Sequence, residues 1–89
     1  MRSLTTEDFR VLLASAPAEI QARARATYRV WVDNPAHPSL RFKRVHAGQP
    51  IYSVRITLDW RALCVLKDDV AIWFWIGPHT EYERVLARG

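Results

Sequence analysis

Eighty-nine residues, 49% of them apolar and 25% charged with a net charge of +4, describe a folded chain rather than a disordered one, and one domain over residues 1–89 is expected. The single cysteine, Cys64, excludes an internal disulfide and any zinc cluster built on several thiolates. The most apolar run, VAIWFWI at 70–76, is far below the roughly 20 residues of a membrane helix, and no basic start precedes a long apolar stretch, so a cytoplasmic protein with neither membrane segment nor signal peptide is expected.

In chain order, the first helix should start at Thr5 or Thr6, where Thr5 with Asp8 reads as a capping box. Phe9, Leu12, Leu13 and Ala16 then fall on one helical stripe. Pro17 ends that helix and can open a second, running to Val32 with Ile20, Ala24, Tyr28 and Trp31 buried. Asn34-Pro35 stops it. After the turn-rich loop at 33–39, four strands are expected at 40–46, 51–57, 60–67 and 70–76. Connections as short as Leu58-Asp59 and Asp68-Asp69 permit only antiparallel pairing. In the second of these strands Tyr52, Val54 and Ile56 make an apolar row and Ser53, Arg55 and Thr57 a polar one, whereas VAIWFWI is apolar on both faces and belongs inside the sheet. Thr80-Glu81-Tyr82-Glu83 is a second capping box that should start a short C-terminal helix. The expected fold class is α+β, an N-terminal helical hairpin packed on a four-stranded, mostly antiparallel sheet with a short C-terminal helix.

Charge is concentrated. Residues 41–61 hold Arg41, Lys43, Arg44, Arg55 and Arg61 against Asp59 alone, so this stretch carries the whole excess of +4. Clustered positive charge attracts polyanions, which points to a phosphate-bearing partner, with a merely basic soluble surface as the competing reading. His37, His46 and His79 are scattered, and no HxxxH, HExxH or CxxC spacing is present, so neither a metal nor another cofactor is expected. The candidate catalytic set is Arg55, Arg61, His79 and Tyr82, with Arg41, Lys43 and Arg44 as candidate RNA-binding residues. Guanidinium groups hold phosphate and stabilise the charge that builds on its oxygens. A histidine can protonate a leaving oxygen, and a tyrosine can stack on a base. RNA supplies its own nucleophile in the 2′-hydroxyl, so such chemistry needs no metal. The bland alternatives are a solvated Arg55, an Arg61 paired with Asp59, a His79 that starts the last helix and a Tyr82 in the core. Register decides between them: with three residues in the 55–61 corner Arg55 faces Arg61, and with a two-residue turn they fall on opposite faces.

Along NPAHPSLRFKRV (34–45), YSVRITLDWRAL (52–63) and WFWIGPHTEY (73–82) the chain resembles the RelE/ParE toxin superfamily of bacterial type II toxin–antitoxin systems. The most specific parts are the SVRI…WRAL pair and the WIG-x-H-x-x-Y ending. The resemblance implies a compact RelE-like α+β fold neutralised by a cognate antitoxin wrapped around it. It also implies a ribosome-dependent mRNA endoribonuclease that inhibits translation by metal-independent phosphodiester cleavage, acting on the ribosome and mRNA as partners. Carried over by position, Arg55 and Arg61 match the sheet arginines, while His79 and Tyr82 match the C-terminal acid–base and stacking residues. Two departures stand out: His and Tyr are separated by two residues, and Ser53 stands where several members have a basic residue. The resemblance also admits, as alternatives, a ParE-like DNA gyrase inhibitor, which does not use the nuclease residues, or a catalytically inactive antitoxin-binding module; the retained Arg61 and His79 favour RNA cleavage.

Overall fold

The structure, a computed structural model, describes residues 1–88. Its elements are β1 (Arg2–Thr5), α1 (Glu7–Ser15), α2 (Ala18–Asp33), a 3₁₀ turn (Pro38–Leu40), β2 (Lys43–Arg44), β3 (Ile51–Arg55), β4 (Trp60–Lys67), β5 (Val70–Pro78) and α3 (His79–Arg88). The strands form one sheet in the order β1-β5-β4-β3-β2, with β1 parallel to β5 and every other pair antiparallel. This is the expected α+β architecture with five strands rather than four.

The extra strand is β1, which carries too little pattern to be read. Its four residues are exposed apart from a half-buried Ser3, and backbone pairing holds it. Arg2 N donates to Asp69 O at 3.0 Å, Thr6 N to Trp73 O at 3.0 Å, and the Trp73 indole N–H to Ser3 Oγ at 3.0 Å. The strand expected at 40–46 shrinks to Lys43–Arg44, because Pro38–Leu40 closes into a 3₁₀ turn and Arg41 follows in the left-handed region at φ 46°. Leu40 is buried by that turn at 2% exposure.

The helix caps differ by a residue from the sequence pattern. Thr6, not Thr5, caps α1, its Oγ1 accepting from Phe9 N at 3.1 Å, so Asp8 closes no capping box with Thr5. Pro17 precedes α2, where its missing N–H costs nothing. α3 begins at His79, one residue before the expected Thr80 cap, because Asp59 O accepts the His79 N–H at 2.6 Å. Asp68 and Asp69 take φ of 51° and 64°, the left-handed pair that a tight two-residue hairpin demands.

The helical hairpin covers one face of the sheet. Val54, Ile56, Ala62, Cys64, Ala71, Trp73 and Ile76 meet Ala16, Ile20 and Trp31 in the main core. Trp31, 1% exposed, stands edge-on to Trp73 with ring centroids 5.3 Å apart and to Phe42 at 5.8 Å. An aromatic side chain of this kind buries about 150–250 Å², worth about 4–6 kcal/mol before entropy is subtracted. Tyr28, expected in the same stripe, is 44% exposed and only stacks on the flank of Trp31 at 6.0 Å. Between β1, α1 and α2 this face opens as a groove of about 590 Å³, lined among others by Leu4, Phe9, Leu13, Tyr28 and Trp31.

The opposite face is divided. Ile51, Val65 and Ile72 lie in register across three strands and, with Phe74, meet Val85 and Leu86 of α3. The other end of this face carries the charged residues.

Candidate active site

The corner between β3 and β4 sets the geometry. Ile56 N donates to Trp60 O at 3.0 Å, leaving Thr57, Leu58 and Asp59 as a three-residue loop, and Thr57 Oγ1 accepts from Asp59 N at 3.2 Å. Arg55 therefore pairs directly with Arg61, and β4 in turn pairs Arg61 with Gly77 of β5. Residues directly opposed across antiparallel strands share a face, their Cβ atoms about 4.5–5.5 Å apart. The register left open by the sequence is the one that places both arginines together.

Arg61 is tied into the corner. Its Nη1 donates to the carbonyls of Thr57 (2.7 Å), Leu58 (3.1 Å) and Trp60 (3.0 Å), while its Nε and Nη2 have no partner among the described residues. Burial, then the repulsion of Arg55 and of Arg41, pull its pKa below the ordinary arginine value, against the opposing influence of the Tyr82 phenol and the Asp59 carboxylate. An arginine so placed stays charged at neutral pH, so two like charges face each other with no ion pair to either among the described residues. Arg55 is half-buried and its guanidinium has no hydrogen-bond or ion-pair partner among the described residues. Like charges directly opposed are unfavourable for the fold, and an anion bound between them removes the penalty.

The second half of the site arrives from β5. The Asp59 O to His79 N bond places the first residue of α3 on the same corner. The exposed His79 lies with its ring 4.6 Å from the Tyr82 ring at 48°, and the Tyr82 phenol is felt electrostatically at Arg61. Lys43, opposite Ser53, shares the face of Arg55, and Arg41 is felt electrostatically at Arg61.

Arg44 is not brought in. It pairs with Tyr52 on the opposite face, and its Nε and Nη2 donate to the carbonyls of His46 (3.0 Å) and Ala47 (3.4 Å), closing the turn before β3. The other two histidines serve the backbone: His46 Nδ1 accepts from Gly48 N and Gln49 N at 3.0 Å each, and His37 Nδ1 accepts from Ser39 N at 3.2 Å. Among the described residues no group of three or more His, Cys, Asp or Glu stands close enough to hold a metal ion. Burial pushes the Cys64 thiol up to about 12, so it is no nucleophile at neutral pH.

Two neighbours of the arginine pair were hidden in the sequence, Gly77 and Trp75. Strict alternation puts Trp73 and Trp75 on one face. A bulge shifts the ladder, pairing Leu63 with Trp75 but Cys64 with Trp73, so Phe74 is the extra residue. Trp73 then enters the main core, while Trp75 stands on the arginine face. A run apolar at every position gives no sign of where such a slip occurs.

Two N-terminal helices packed on a five-stranded mixed sheet, with a short C-terminal helix, match the fold of RelE-like toxins. The chain is similar to the toxin in the RelB–RelE antitoxin–toxin complex from Methanococcus jannaschii (TM-score 0.74, 14% identity, 92% of this chain and 96% of that one). It is similar also to a chain of the E. coli DinJ–YafQ toxin–antitoxin complex (TM-score 0.72, 10% identity, 88% and 91%) and to the YoeB/ParE toxin from Agrobacterium tumefaciens (0.71, 13%, 89% and 99%). Identities this low establish the fold alone. No curated protein matches the chain. The ParE-like toxin domain matches residues 18–84, and the chain belongs to that family, within the RelE/ParE superfamily.

Proposed function

We propose that this chain is the toxin of a toxin–antitoxin pair and inhibits translation as a ribosome-dependent, metal-independent mRNA endoribonuclease. The observation that carries the reading is the directly opposed Arg55–Arg61 pair beside His79 and Tyr82. The free Nε–Nη2 edge of Arg61 suits bidentate contact with a phosphate, and Arg55 stabilises the charge that accumulates as the 2′-hydroxyl attacks phosphorus. The 2′-hydroxyl gives up its proton to solvent water, the P–O5′ bond breaks, His79 protonates the departing oxygen, and the products are a 2′,3′-cyclic phosphate and a 5′-hydroxyl. Tyr82 orients His79 and the adjoining nucleotide, while Arg41 and Lys43 draw the RNA backbone toward the sheet. A cognate antitoxin is the regulatory partner, as the complexes formed by two structural neighbours suggest. The apolar groove between β1, α1 and α2 is the surface assigned to it.

The test is to map mRNA ends in cells minutes after induction, with wild type, Arg55→Ala and His79→Ala compared. Arg61→Ala is a poorer probe because it also frees three turn carbonyls. Cleavage within reading frames that falls about 10²–10⁴-fold in His79→Ala supports the proposal. Growth arrest with intact mRNA and cleaved or relaxed plasmid DNA would instead select gyrase inhibition, the second reading favoured by the ParE-like family match. Unimpaired growth at high expression would leave a catalytically inactive antitoxin-binding module.

A further inference from the structure

Arginines recognise phosphate whatever base it carries, yet in-line attack by a 2′-hydroxyl requires the nucleotide to be fixed at a second point. The fold places a side chain where that second point is needed. Trp75 stands opposite Leu63, one row along the arginine face from the Arg61–Gly77 pair. Its indole leans toward the arginines: a Cβ on Gly77 would sit 2.5 Å from Cζ2 and 2.9 Å from Cη2 of that ring. The six-membered ring therefore lies against the backbone directly across from Arg61. Trp75 is half-buried, stands outside the main core that takes up Trp31 and Trp73, and touches no aromatic ring among the described residues. Its indole N–H has no described acceptor either. Tyr82, the other aromatic side chain of the site, already has its ring against His79.

We infer that Trp75 is the platform on which a base of the RNA stacks, holding the nucleotide adjoining the phosphate bound by Arg55 and Arg61. This rests on the ribonuclease reading above. Aromatic stacking tolerates any base, so Trp75 would fix position along the RNA rather than sequence.

The experiment uses ribosomes programmed with an mRNA carrying an abasic nucleotide at each codon position in turn, cleaved by wild type, Trp75→Leu and Trp75→Phe. At one position, loss of the base should slow the wild type about tenfold. Trp75→Leu should slow cleavage of intact mRNA by a similar factor and show no further loss on the abasic template, while Trp75→Phe keeps most of the base dependence. Full wild-type rates for a folded Trp75→Leu, or losses that multiply, overturn the assignment while leaving the ribonuclease reading intact. Circular dichroism checks folding, and should Trp75→Leu fail to fold, a wild-type scan without any base-sensitive position overturns it as well. No cleavage of intact mRNA by the wild type removes the ribonuclease reading, and this inference with it.

Discussion

One guanidinium serves both the fold and the proposed chemistry. Nη1 of Arg61 gathers the carbonyls of Thr57, Leu58 and Trp60, while its other nitrogens remain available to a ligand. Arg55 contributes only charge, and its charge opposes that of Arg61. The two variants should thus move stability in opposite directions. Arg55→Gln is expected to raise the urea-unfolding free energy by about 0.2–1 kcal/mol, toward the lower end because solvent screens a pair this open. Arg61→Ala is expected to lower it by about 1–3 kcal/mol through the lost hydrogen bonds. Both should abolish cleavage, and a destabilised Arg55→Gln would mean that the opposed charges do not repel in solution. Cys64 is a second residue whose environment has a measurable sign. Its thiol titrates near 9.0 when unfolded and about 12 when buried, so the unfolded chain releases its proton first. The stability tied to this thiol is complete below pH 9 and declines as pH rises toward 12. Cys64→Ala should flatten that alkaline decline in equilibrium unfolding, and an unchanged slope would contradict the burial.

At the scale of elements, the regular parts follow from periodicity and the exceptions from one-residue events. The apolar stripes of α1 and α2 and the alternation of β3 are visible in the sequence because each repeats over several turns or pleats. β1 escapes because four residues on a parallel edge show no alternation, and residues 38–41 escape because a 3₁₀ turn and a left-handed arginine leave no periodic trace. The Arg55–Arg61 partnership was legible only as one of two registers, decided by the number of residues in the Thr57–Asp59 loop. Trp75 was unreadable as a site residue because the bulge at Phe74 sits in a uniformly apolar strand. The end of β5 offers a direct check. Gly77→Ala places a methyl carbon within 2.5 Å of the Trp75 ring, and overpacking of this kind costs about 1–3 kcal/mol. In a Trp75→Ala background the same change should be nearly neutral. Equal costs in both backgrounds, read by thermal unfolding, would show that the ring does not lie against Gly77.

Across the whole molecule, the two sheet faces divide the work. One carries the helical hairpin, the main aromatic core and the groove; the other carries α3 over its apolar end and the arginine pair at its charged end. The pairing of β1 with β5 joins the first strand to this scheme, and it does so at long range, Arg2 meeting Val70 and Thr5 meeting Trp73. On a chain leaving the ribosome, then, the first strand waits for residues 70–78 before it has a neighbour, and long-range pairing of this kind is slow to form. His79, the proposed acid, lies just beyond the same residues. On the proposed function, arming and folding would be one late event, and a cell synthesising this protein would be spared an active fragment. Chains truncated before residue 70 should remain protease-sensitive and harmless when expressed, and a toxic truncation would disprove the coupling.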